Sequence, residues 1–136
     1  MNLLLDTCAA IWITEGRSIS PDATREISRA AAEGRPVYLG LYTAWERAML
    51  SAKRRLTSPL TPKAWFDRLA SRPEVEVVPL TSDILIESCF LPGEIHGDPA
   101  DRILIASARA LDLTIVTRDR TILAYSAKGH VRTLEC

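Results

Sequence analysis

The sequence predicts an α/β fold, a central parallel sheet with helices on both faces. Three observations predict it: short apolar runs without strict alternation, amphipathic stretches between them, and the regular alternation of the two along 136 residues. Leu3, Leu4 and Leu5 form an apolar run ending on Asp6, which suits a strand buried on both faces. Ser20-Pro21 opens a helix with proline at its first position, and Gly34 closes it after an alanine-rich stretch. Val37, Tyr38 and Leu39, between Pro36 and Gly40, read as a second strand. Leu41, Ala44, Trp45, Ala48, Met49 and Ala52 recur at helical spacing, which places an amphipathic helix over about 43–55 with Thr43 as its N-cap. Further helices are expected over about 62–71, 82–90 and 99–111, and a short one after Asp119. Strands are expected at Val75 to Val78, Thr114 to Thr117 and Val131 to Leu134.

The length suits one domain, expected to span residues 1–136, that buries a core without disulfides or a structural metal. A 47% hydrophobic and 25% charged composition without Pro-, Gly- or Ser-rich tracts argues against a disordered tail. Cys8, Cys89 and Cys136 are an odd count without C-x-x-C spacing, so neither a disulfide framework nor a zinc knuckle is expected. A reducing cytoplasm fits that usage. The N-terminus MNLLLDTC lacks a basic leader region, and no uncharged apolar run approaches the ~20 residues of a membrane span, so a soluble, unprocessed protein is expected. Seventeen basic and seventeen acidic side chains cancel, leaving only local clusters to suggest a polyanionic partner. Lys53, Arg54 and Arg55, preceded by Arg47, form one such cluster. It reads either as a solvated helix end or as a patch for RNA phosphates.

Open parallel sheets bind ligands at the carboxyl ends of their strands. Asp6 directly follows the first strand, and Asp119 lies two residues beyond TIVT. Glu46 falls in the first turn of the helix after VYL, and Asp101 in the first turn of the helix opened by Asp98-Pro99. All four acids are thus expected at one edge. Reaching it requires the segment 91–97 to cross back over the sheet, which seven residues spanning about 23 Å can do beside a nine-residue helix about 13 Å long. Each acid also has a plainer reading. Thr43 and Glu46 have capping-box spacing, Asp98 and Asp101 fit a similar box, and Asp119 can cap the helix after it. Asp6 is hardest to explain as a cap, because an acid ending a buried strand needs a compensating partner.

Two carboxylates ~4 Å apart repel by about 4 kcal/mol at an effective dielectric near 20, so four together call for a cation. Oxygen ligands without His or Cys suit Mg²⁺ or Mn²⁺, ions that act on phosphodiesters by polarising phosphoryl oxygens and activating water. His96, expected at the surface in a glycine-flanked loop, and His130 are too few to suggest zinc. Thr7 and Thr117, each beside a strand end and an acid, are placed to orient a carboxylate or a water.

The segments LLLDTCAAIW, YTAWERAML, HGDPADRILIASA and TRDRTI resemble, in order and spacing, the acidic motifs of the PIN-domain nucleases, and among them the VapC-type toxins of bacterial toxin-antitoxin pairs. The resemblance implies a PIN-like three-layer sandwich that hydrolyses RNA with Mg²⁺ or Mn²⁺. It implies Asp6, Glu46, Asp101 and Asp119 as catalytic metal ligands, Asp98 as an outer contributor and Thr117 as an orienting hydroxyl. It also implies a homodimer and a cognate antitoxin protein that blocks the site. Cys8 stands where that family often has histidine, and Ala100 where it often has phenylalanine. An aspartyl-phosphate phosphatase would need a second Asp where Cys8 stands, and a receiver domain would need a lysine where Arg118 or Arg120 is a poor substitute. A non-catalytic binding module, with the acids as caps, is the remaining alternative.

Overall fold

The computed structural model describes residues 1–95 and 97–136, so the expectation for His96 lies outside the described residues. The elements follow as β1 (Leu3–Leu5), α1 (Thr7–Thr14), α2 (Pro21–Ala32), β2 (Val37–Gly40), α3 (Tyr42–Ala52) and α4 (Pro62–Ala70). They continue as β3 (Val75–Val78), α5 (Ser82–Glu87), α6 (Pro99–Leu111), β4 (Thr114–Thr117), α7 (Arg120–Ala127) and β5 (Arg132–Glu135). The strands form one five-stranded sheet in the order β3-β2-β1-β4-β5, and every neighbouring pair is parallel. β2 and β3 lie on one side of β1, β4 and β5 on the other. The order therefore reverses between β1 and β4, the kind of switch point where parallel sheets open a crevice for ligands.

The side-chain period of two divides the central strands between two cores. Leu3, Leu5, Leu39 and Val116 pack with Ala9 and Ile11 of α1, Ala23 and Ala30 of α2, and Trp65 and Leu69 of α4. Leu4, Ile115 and Val78 pack on the opposite face with Ile84 of α5, Ile103, Ile105 and Ala106 of α6, and Ile122 and Tyr125 of α7. The result is a three-layer α/β/α sandwich. Cys8, Cys89 and Cys136 are free. Among the described residues no helix is long and apolar enough to cross a membrane.

Local chemistry accounts for the element boundaries, including those that differ from expectation. Ser20 caps α2 by accepting from the Ala23 N–H at 3.0 Å, and Gly34 takes φ 67° just after it, a left-handed conformation that glycine adopts without strain. α1 was not expected. Its sequence TCAAIWIT buries Thr7, Ala9, Ala10 and Ile11, so no polar face marks it as helical. α3 starts at Tyr42 rather than at Thr43, from Leu41 without any side-chain cap, so Thr43 is not the cap and the capping-box reading of Glu46 fails. β5 begins one residue later than expected, at Arg132. α5 is only six residues long. It ends beside the first turn of α6, where Arg102 donates to the carbonyls of Ser88 at 2.8 Å and Ile95 at 3.1 Å. The expected crossing back over the sheet is therefore unnecessary.

Leu4 is fully buried and pairs with both neighbours of the central strand, opposite Tyr38 and Ile115. Leu4→Ala is expected to destabilise the protein by about 2–5 kcal/mol through lost burial and the cavity left behind. Denaturant unfolding measures this, and a loss well under 1 kcal/mol would show that the core relaxes around the gap.

Candidate active site

Asp6 is the residue at which β1 stops. Its N–H still bonds the Val116 carbonyl at 3.1 Å, so it remains in the sheet ladder, while its side chain turns to α1. Oδ1 accepts from the Ala9 N–H at 2.6 Å as the N-cap of α1, and Oδ2 accepts from the Thr117 hydroxyl. Thr117, wholly buried at the end of β4, also accepts from the Asp119 N–H at 3.0 Å. One hydroxyl thus ties the two strand ends across the switch point.

Glu46 lies in α3 and accepts from the Thr7 hydroxyl, at the start of α1, at 2.6 Å. The Thr7 Oγ1 is also 3.0 Å from the Thr43 Oγ1. A hydroxyl has one proton to give, and Thr7 gives its proton to Glu46, so Thr43 donates to Thr7. Thr43, buried on the inner face of α3, therefore fixes the direction of the Thr7 proton. This role was hidden in the sequence behind a plausible cap.

Asp98 and Asp119 each use one oxygen as a cap. Asp98 Oδ1 accepts from the N–H groups of Ala100 at 2.9 Å and Asp101 at 3.3 Å. Asp119 Oδ1 accepts from those of Thr121 at 2.9 Å and Ile122 at 3.0 Å. Asp101 follows in the first turn of α6.

The electrostatics bring these residues to one place. Burial pushes the Asp6 carboxyl above the ordinary carboxylate range; the hydrogen bonds from Thr117 and Ala9 oppose that, Asp119 adds to it, and Arg118 counters it. Burial likewise raises Glu46, opposed by the Thr7 bond and reinforced by Asp98 and Asp6. The Cys8 thiol is pushed up to about 11, chiefly by burial and then by the fields of Asp6, Glu46, Asp101 and Asp119. A single side chain in α1 therefore senses all four acids.

Among the described residues no group of three or more His, Cys, Asp or Glu side chains is close enough to chelate an ion by itself. The acids therefore do not form a closed coordination shell. Oxygen donors alone fit Mg²⁺ or Mn²⁺, since Mg²⁺ keeps several of its waters and binds through one or two carboxylates. His130 packs on Tyr125, with ring centroids 4.7 Å apart, and does not join the acids.

The basic residues fall elsewhere. Arg47 is 1% exposed: it donates to the Ser51 Oγ at 2.5 Å, lies over the Trp65 ring at 5.4 Å, and finds no partner for its Nε among the described residues. Its expected contact with RNA is thus corrected, because α3 turns this arginine into the protein beside Trp65. Lys53, Arg54 and Arg55 are exposed just past the C-terminal end of α3, about 10 Å or more from Glu46 along the helix axis.

Two changes probe the site. In the metal-free protein the raised Glu46 carboxyl makes the folded state bind more protons than the unfolded chain. Its contribution to stability is complete below the ordinary carboxylate range and is lost as pH rises through the folded pKa. Glu46→Gln keeps an acceptor for Thr7 and cannot ionise, so melts in chelator should show it gaining on wild type as pH rises from about 4 to 7. A stability difference that does not vary with pH would contradict this. Thr117→Val, which releases Asp6 from its hydroxyl, should weaken Mn²⁺ binding by about 10–100-fold, as loss of an outer-shell partner does. Titration calorimetry reads that change, and an unaltered affinity would count against the role of Thr117.

The PIN domain family matches residues 3–128 of the chain. A curated relative, ribonuclease VapC22 of Mycobacterium tuberculosis, is 27% identical over 124 residues, covering 90% of this chain and 91% of the relative. Among solved structures, VapBC2 from Rickettsia felis, bound to a DNA fragment from the promoter, superposes with a TM-score of 0.67 at 16% identity, over 99% of this chain and 98% of that one. FitAcB from Neisseria gonorrhoeae superposes with a TM-score of 0.64 at 19% identity, over 97% and 96%. At these identities the two structures speak to the fold, and they agree with the three-layer sandwich described above. Because the family match runs through all four acidic segments and nearly the whole length, the chain belongs to the PIN domain family.

Proposed function

We propose that this protein is a Mg²⁺- or Mn²⁺-dependent endoribonuclease, the toxin of a bacterial toxin-antitoxin pair, with Asp6, Glu46, Asp101 and Asp119 as its metal-binding and catalytic residues. One observation carries the reading: two desolvated carboxylates, Asp6 and Glu46, are each held by a threonine hydroxyl and gathered with two further acids around Cys8. Groups left this unneutralised raise the energy of the folded state, a cost that selection for stability alone would remove and that a cation offsets. The name of the mycobacterial relative supports RNA as substrate. The toxin-antitoxin assemblies among the structural neighbours support an antitoxin partner.

In this reading a divalent cation held by the four acids supplies stabilisation of the charge that builds on the phosphoryl oxygens. The chain supplies placement. Thr117 and Thr7 fix one oxygen each of Asp6 and Glu46, and the cap bonds fix one oxygen of Asp119, so the second oxygen of Glu46 and of Asp119 is left for ligand. Asp98 adds negative potential beside Glu46. Lys53, Arg54 and Arg55, exposed past the C-terminal end of α3, are assigned in this reading to phosphates of a strand extending beyond the site. Exposed Leu41, Trp45, Ile86 and Phe90, the last 77% accessible, offer apolar surface consistent with a homodimer.

That Asp6, Asp98 and Asp119 all cap helices favours a second reading, a binding module without catalysis. Glu46 caps nothing and weighs against it. The purified protein is expected to cut single-stranded RNA in Mg²⁺ or Mn²⁺, to stop in excess chelator, and to lose cleavage with Asp101→Asn while keeping its fold. Cleavage at the full rate in chelator, or an active Asp101→Asn, would reject the proposal in favour of the caps-only reading.

A further inference from the structure

We infer that Arg118 is a phosphate-binding residue of the site, its guanidinium laid on the Trp12 ring and tied to the main chain at Cys136 so as to hold the RNA backbone beside the carboxylates. The inference rests on the ribonuclease reading and adds to it the positive charge that the acidic motifs lack. Four acids repel a polyanion beyond what a bound metal would neutralise, and exposed charges act over only about 8 Å at physiological ionic strength, so a cationic side chain close to them would add to the hold on an RNA strand. Lys53, Arg54 and Arg55 are farther away than that along α3.

Arg118 is in place. It stands between Thr117, which donates to Asp6, and Asp119, which caps α7. Its positive charge acts on Asp6 and opposes the rise of that carboxyl's pKa. Its position is fixed from two sides: the guanidinium carbon lies 3.9 Å from the centroid of the Trp12 ring, within cation–π range, and the Nε–H donates to the main-chain oxygen of Cys136 at 2.9 Å. Trp12 belongs to α1, the helix that Asp6 caps, so the stack ties the arginine to the helix whose entry the carboxylate fixes.

The hydrogen bond uses Nε and the stack uses one face. The guanidinium also lies within hydrogen-bonding reach of the Cys136 thiol, and the side chain is exposed to solvent. An arginine ordered in this way and still open to solvent loses little conformational freedom on binding and can offer guanidinium donors to phosphate oxygens. Surface arginines elsewhere on the chain are committed differently: Arg25, Arg35 and Arg72 pair with Asp22, Glu33 and Glu74.

The test is equilibrium binding of a fluorescent single-stranded RNA oligonucleotide to the metal-free protein over a KCl series, together with cleavage of the same RNA in Mg²⁺. Arg118→Ala is expected to weaken binding about tenfold at low salt and to reduce the slope of log K against log salt by about 0.7, one phosphate contact on a single strand. Arg118→Lys retains the charge and guards against a folding defect; it should keep the wild-type slope while losing part of the affinity. Trp12→Leu removes the stacking face and should likewise weaken binding at unchanged slope. An Arg118→Ala protein with wild-type affinity and slope overturns the inference, as does a wild type whose RNA binding ignores salt. Failure of the wild type to cut RNA, with the slope change intact, would instead reject the nuclease reading and leave Arg118 as a phosphate contact.

Discussion

A carboxylate placed at the end of a doubly buried strand is the constraint around which this edge of the sheet is arranged. Asp6 cannot retreat into solvent, because its own N–H continues the ladder to β4 and its strand is packed on both faces. It must be satisfied where it stands. The Ala9 N–H and the Thr117 hydroxyl do that, and in doing so they fix the entry of α1 and the exit of β4. Burying an acid with hydrogen bonds but without a full counter-charge keeps its proton affinity high, which is the electrostatic signature of a site poised for a cation.

Capping and ligation are compatible roles here. A cap needs one carboxylate oxygen, and Asp119 gives both of its cap bonds to Oδ1. Helix N-termini at the strand ends therefore orient the acids at no expense to their second oxygen, and the helix dipoles favour the negative charge. The threonines complete the scheme. Thr43, Thr7 and Glu46 form a directed chain of hydroxyls from the interior of α3 outward, and Thr117 links Asp6 to the Asp119 main chain. Positions of this kind are set by packed elements rather than by loops, which keeps the carboxylates in register with one another.

Much of this was legible in the sequence, for identifiable reasons. Triple leucine before Asp6, the TIVT strand and the Asp98-Pro99 helix start carry strong local signals, and Asp6, Asp119 and Asp101 each follow one of them. α1 was not legible because a helix buried around most of its circumference has no polar face to reveal its period. Thr43 misled because a threonine three residues before a glutamate has capping spacing whether or not the helix starts there. Arg47 misled because nothing local shows that α3 turns it toward Trp65. Arg118 could be read only as an arginine between two motif residues. Its stack on Trp12 joins positions 106 residues apart and its bond to Cys136 positions 18 apart, pairings that only the folded chain brings together.

The central claim is that the acids at the switch point hold a divalent cation. Calorimetric titration of Mn²⁺ into the metal-free protein tests it most directly, since it requires neither RNA nor turnover. Saturable binding that Asp6→Asn and Asp101→Asn each weaken by at least about tenfold, with Asp22→Asn as an exposed control unchanged, is the result predicted for shared ligands. Binding that is absent, or equally strong in all three variants, would contradict it.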